Sequence, residues 1–199
     1  MRDIEIHPEK VRAYGVKAQG HFDKMRSDLQ IITNTVERVD YEGDNAAYFK
    51  NTTGEMVSEF SQRFLEDMQE IAELVKVTTS NIAQAMGGQA IVIKVNGSKI
   101  VPQNVSKSAD GAQKVSTAAL GSLPQIMTTR FDSMRAHLKA HMTDFTNFDV
   151  IGWRSKAKSS ADEAVRTFTT NASGHATEAE NEIVKFIKSQ LDALEAADK

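Results

Sequence analysis

His137 and His141 stand four residues apart, with Asp144 one turn further on. On a helix that spacing brings two imidazoles and a carboxylate to one side, as metal sites on helices do. A zinc ion needs three or four ligands. The plainer expectation places His141 at the edge of an apolar core and His137 in solvent. Other chemistry finds even less support. No glutamate pairs with a histidine in the E-x-x-H spacing of di-iron bundles. Gly87-Gly88 lacks the lysine and following helix of a phosphate loop. The many serines and threonines have no histidine and acid at recognisable positions, and a helical rod offers no oxyanion hole. The chain is therefore expected to be no enzyme, with no catalytic residue, no metal and no cofactor.

Composition bounds the remaining classes. The 199 residues are 40% hydrophobic and 26% charged, ordinary for a globular protein able to bury a sizeable core. Apolar runs are only a few residues long, and the opening MRDIEIHPEK carries charge where a secretory signal needs an apolar stretch. Neither a classical signal peptide nor stable membrane insertion is expected. Without cysteine, no disulfide or thiolate chemistry is available. A net charge of −3 with scattered Lys and Arg argues against nucleic acid as a partner. Residues 1–87 carry −5 and residues 88–199 carry +2, so the halves are weakly complementary.

The elements that must position any site are helices. Val11, Tyr14, Ala18, Phe22, Met25, Leu29, Ile32, Val36 and Val39 recur in steps of three and four, which puts them on one helical face. A second stripe runs Val57, Phe60, Phe64, Met68, Ile71, Val75, Thr78 and Ile82. Between them lies a short turn in which Gly43 can take positive φ. The stretch FDKMRSDL (22–29) then returns as FDSMRAHL (131–138). A shift of 109 carries the whole first stripe onto Leu120, Leu123, Met127, Phe131, Met134, Leu138, His141, Phe145 and Phe148, and Gly43 onto Gly152. A shift of 108 carries the second stripe onto Val165, Phe168, Ala172, Ala176, Ala179, Ile183 and Phe186. Capping boxes at Thr52 with Glu55 and at Ser160 with Glu163 mark expected helix starts.

Two tandem helical hairpins follow, residues 1–87 and 112–199. A lone hairpin leaves one apolar face uncovered, and two of them complete a four-helix bundle. The fold expected is all-α, an elongated four-helix bundle whose core repeats Phe22, Met25 and Leu29 as Phe131, Met134 and Leu138. The join at 88–111 has a β-branched texture around Asn96-Gly97, a pair suited to a type I′ turn, and predicts a short β-hairpin linker. Its strands, about five residues each, are too short for a membrane tongue, which needs about nine.

These features resemble a known family. A helix, then YEGDNAAYF (41–49), then a second helix is similar to the WXG superfamily, small helical hairpins exported by type VII (Esx) secretion systems. Tyr41 stands where that family has its signature tryptophan, and Gly43 matches the signature glycine. The stretch EFSQRFLEDMQEIAELVKVTTSNIAQAM (59–86) is similar in texture to the family's second helix. In the second hairpin VIGW (150–153) keeps Gly152, with Val150 at the tryptophan position and Trp153 after the glycine. The resemblance implies a fused version of the family's antiparallel dimer, acting in type VII secretion as substrate, carrier or partner-binding module. Protein partners would be secretion components or a co-secreted protein. Localisation would be secreted without a classical signal peptide, or cytoplasmic if export is absent. The family's export signal Y-x-x-x-[DE] is missing, because Tyr14, Tyr41 and Tyr48 are followed four residues on by Ala18, Asn45 and Thr52. The other class left open is a helical structural or interaction protein of phage or cell-envelope origin. Glu55, Glu59, Glu66, Asp67, Glu70 and Glu73 are expected to form the solvated side of their helix. Trp153 is a candidate either for partner contact or for closing the bundle end.

Overall fold

The computed structural model describes residues 8–86, 89–95, 114–148 and 156–197. Among these the chain is all-α, a bundle of four long helices with one two-stranded sheet: α1 (Pro8–Arg38), β1 (Tyr41–Glu42), α2 (Asp44–Met86), β2 (Lys114–Val115), α3 (Thr117–Thr146) and α4 (Lys156–Ala197). Pro8 opens α1, where its missing N–H has no helical partner to lose, and Arg38 stands in the last turn, where a cation meets the negative end of the helix dipole. Every member of the first stripe from Tyr14 to Val39 is buried. So are all nine residues that the 109-residue shift reaches, eight on α3 and Phe148 just past its end.

Helix starts differ from those the capping boxes mark. The chain enters α2 at Asp44, eight residues before Thr52, so Thr52 and Glu55 lie inside the helix. Gly43 sets this boundary, with φ at 104° and its carbonyl accepting the Ala47 N–H at 3.0 Å. A side chain at that φ would be strained. The apolar stripe extends upstream accordingly, through Ala46, Phe49 and Thr53. Likewise α4 is already helical at Lys156, which leaves Ser160 exposed within it. Ser116 caps α3, its Oγ accepting the Ala119 N–H at 3.1 Å and its carbonyl the Leu120 N–H at 2.9 Å.

On α4 the stripe is broader than the shift implies. Val165, Ala172, Ala176 and Ile183 are buried, but Thr169 and Ile187 turn inward while their neighbours Phe168 and Phe186 are half-buried. The apolar face there is two rows wide, so either row satisfies the sequence period.

The sheet also lies elsewhere. Tyr41 pairs with Val115 and Glu42 with Lys114, antiparallel, and the Ser116 N–H reaches the Asp40 carbonyl at 3.0 Å. The turn of the first hairpin is thus stitched to the start of the second. Residues 89–95, the expected first strand of the linker, form no strand. Their main-chain groups go to side chains instead: Ile91 N–H to Thr79 Oγ1 at 2.8 Å, Lys94 N–H to Gln19 Oε1 at 2.8 Å, and Gln19 Nε2–H to the Lys94 carbonyl at 3.1 Å. Ile91 and Ile93 are buried under this strap. Ile91 rests against Gly15, where an added Cβ would come within 3.3 Å of it. Asn96-Gly97 and the expected second strand lie outside the described residues.

Two compact units divide the chain, and neither coincides with a hairpin. The first comprises Met1–Met25, Phe64–Gly97 and Arg135–Gly174, and the second Arg26–Arg63, Ser98–Met134 and His175–Lys199. Each draws on all four helices. Phe22, Phe64, Met68, Leu138, Phe145 and Val165 are buried in the first. In the second, Phe60 meets Phe131 with centroids 5.1 Å apart, and Phe49 stacks on Phe186 at 5.9 Å.

Phe22 and Phe131 are both essentially inaccessible. Truncation of either to Ala is expected to lower unfolding free energy by about 3–5 kcal/mol, measured by urea denaturation. An unchanged midpoint for either would place that ring outside the load of the core.

Candidate functional site

The most chemically loaded place among the described residues is the seam of α1 and α3 in the first unit. The two helices run antiparallel there, with Tyr14 against His141, Phe145 and Phe148, and His21 against His137. Helical spacing on α1 sends Tyr14, Lys17 and His21 to this seam, while α3 supplies His137, His141 and Asp144.

Two separate polar networks result. In the inner one, the Tyr14 hydroxyl and His141 Nε2 are 3.0 Å apart, and His141 is fully buried. Its Nδ1 has no hydrogen-bond partner among the described residues. Burial pushes the His141 pKa down from 6.5 to about 4, helped by His21 and opposed by Asp144. Burial also pushes the Tyr14 hydroxyl far up, with Asp144 adding to it. Both groups are neutral near pH 7.

The outer network is a chain. His21 Nδ1 lies 3.1 Å from His137 Nδ1, His21 Nε2 lies 3.2 Å from Asp144 Oδ2, and Lys17 Nζ lies 3.5 Å from Asp144 Oδ1. A carboxylate only accepts, so His21 donates its Nε2–H to Asp144. In the neutral ring Nδ1 then accepts from His137.

His141 turns into the core against Tyr14, as the plainer expectation has it; the expectation that His137 is solvated is corrected, since it is half-buried against His21, and Asp144 also turns to His21. No group of three or more His, Cys, Asp or Glu among the described residues is placed to hold a metal ion. Tyr14 and His21 were not singled out by spacing, because they join the site only through the register of α1 on α3. The repeat contains the missing signal. A contact between two copies of one sequence segment running antiparallel should recur with its partners exchanged, which pairs His21 with His137 once Asp28 is paired with Arg130.

That second contact exists in the second unit. Arg130 Nη1 meets Asp28 Oδ1 at 3.2 Å, with Asp28 buried. The 109-residue shift carries Asp28 onto His137 and His21 onto Arg130. The same register therefore holds a histidine pair in one unit and an ion pair in the other.

The turn motif also belongs to the second unit. Tyr41 and Gly43 are buried, the Tyr41 ring lies 5.8 Å from Phe49, and burial pushes its hydroxyl pKa up. Lys50 Nζ donates to the Glu37 carbonyl at 3.2 Å, closing the end of α1; its pKa is lowered by burial, against the pull of Glu42 and Asp40. Beside the turn, α1 and α3 enclose an open groove of about 510 Å³ lined by Ile31, Thr35, Val39, Leu123 and Ile126, with Arg38 and Asp40. The corresponding register of the first unit carries Tyr14 and Phe148, which stack at 5.2 Å, where the second has the smaller Leu123 and Val39. Gly152 and Trp153 lie outside the described residues. The core residues Phe22, Met25, Leu29, Phe131, Met134 and Leu138 are all fully buried, and of the acidic run on α2 all but the half-buried Asp67 are exposed.

Against known proteins, no family model, no curated protein and no solved structure matches the chain.

Replacing Tyr14 by Phe leaves both His141 nitrogens without a partner among the described residues. A loss of about 1–3 kcal/mol in unfolding free energy at pH 7 is expected, measured by urea denaturation. Unchanged stability would show that the hydroxyl and imidazole are satisfied in another way.

Proposed function

We propose that this chain is a non-enzymatic protein-recognition module resembling two WXG/Esx hairpins fused into one bundle, associated with type VII secretion as substrate, carrier or partner-binding protein. The observation that supports this reading is the reuse of one α1–α3 contact with its partners exchanged, His21 with His137 and Asp28 with Arg130. Such exchange is the signature of an isologous interface between two like copies. On this reading the Gly43 turn, with its positive φ and buried Tyr41, would stand for the family's signature turn. A polypeptide partner would dock beside that turn. No helix among the described residues is long and apolar enough to cross a membrane.

Because the tyrosine export signal is missing, a separate partner carrying it would escort this chain. Localisation would then be extracellular without a classical signal peptide. The second reading is a helical structural or interaction protein, of phage or cell-envelope origin, with no export role.

Two measurements test this. Cleavage at a protease site placed at Asn96-Gly97 should leave two fragments that stay associated and helical; fragments that separate as folded monomers would end the fused-dimer reading. A tagged copy expressed in a host with a working type VII system, with and without neighbouring genes, should reach the medium only with them. Efficient export of the chain alone would sink the escort, and retention under every condition would favour the structural protein.

A further inference from the structure

Three of the five histidines, His21, His137 and His141, meet on one seam of one unit. Their hydrogen bonding leaves little room for protons. In the His21–His137 pair one ring donates a single proton and the other accepts it, beside Asp144. A second proton would set two N–H groups against each other across 3.1 Å. Inside the seam, a protonated His141 would bury a charge among Tyr14, Phe22 and Phe145 with its Nδ1–H unmatched.

We propose that the α1–α3 seam of the first unit is an acid-released latch: a proton taken up by the buried His141 parts α1 from α3 in that unit, while the second unit, held at the corresponding register by Asp28 and Arg130, stays closed. The charges that bear on His141 stand on these two helices, His21 opposing its protonation and Asp144 favouring it. Among the described charged side chains that α2 and α4 bring to this unit, Glu66, Glu70, Glu73, Lys76, Glu163 and Arg166 are exposed and Asp67 and Asp162 half-buried.

The sign follows from linkage. His141 has a lower proton affinity closed than open, so the closed state is fully favoured above pH 6.5 and loses ground as pH falls from there towards about 4. The second seam carries a carboxylate and a guanidinium at the corresponding positions in place of the histidine pair. The two units therefore part company between about pH 6.5 and 5.

Hydrogen–deuterium exchange of the whole chain at pH 7.5 and 5.0, corrected for the intrinsic pH dependence of exchange, reads both seams at once. From His141 alone, the opening equilibrium for amides in 10–25 and 137–146 should rise about 30-fold, against less than about threefold in 26–38 and 117–132. His141→Ile installs the residue found at the corresponding Ile32, and His21→Arg with His137→Asp installs the pair of the second unit. Combined, the three substitutions should abolish the response. Should that variant fail to fold at pH 7.5, Asp28→His with Arg130→His should instead confer an acid response on the second unit. Unchanged protection in the first unit, equal loosening of both, or grafted variants that behave like the parent would overturn the latch.

Discussion

Burial of one apolar stripe against another on α1 and α3 is the interaction on which the rest of this protein depends. A hairpin of two amphipathic helices covers part of its apolar face and leaves the remainder to water, at a penalty of about 25 cal/mol for each Å². Here the remainder is covered by the second hairpin. The stripes from Tyr14 to Val39 and from Leu120 to Phe148 are buried without a break. Neither compact unit is assembled from one hairpin alone. Covalent continuity through residues 88–113 keeps the two copies together, so association is not limited by concentration as it would be between separate chains.

Polar groups enter this seam under different terms. Asp28 and Arg130 pair through one Nη1–Oδ1 contact, with the guanidinium partly in water while its Nε is buried without a partner among the described residues, so the pair is only partly desolvated. Tyr14 and His141 stay neutral because burial penalises their charged forms, and one hydrogen bond meets most of their needs. An aliphatic side chain at 141 would pack with no polar atom to satisfy, as Ile32 does at the corresponding position. The histidine is therefore a choice that apolar packing alone does not explain. Space is treated unequally as well: aromatic rings fill the first seam where Leu123 and Val39 leave a groove in the second.

Much of the fold was legible because the period of helical side chains survives in the sequence for thirty residues at a time. Both long stripes and the positive φ of Gly43 follow from spacing and residue type. Helix starts were not, since Thr52 and Ser160 carry the letters of a capping box while lying inside helices that begin at Asp44 and Lys156. Residues 89–95 carry strand propensity, yet their backbone partners are Thr79 and Gln19, distant in sequence and unmarked by any pattern. The polar networks were half legible. His137, His141 and Asp144 announce themselves by spacing on one helix, whereas Tyr14 and His21 join them only once the register between helices is known.

Having both helix pairs on one chain also changes what substitution can do. In a dimer of identical hairpins, the contact between positions 21 and 28 of the two copies is made twice from the same two side chains, and any replacement is felt in both places. With the copies on one chain, four separate positions make those two contacts. One has become His21 with His137, the other Asp28 with Arg130. Either contact can thus be altered alone, a freedom that a homodimer of one such hairpin would not possess.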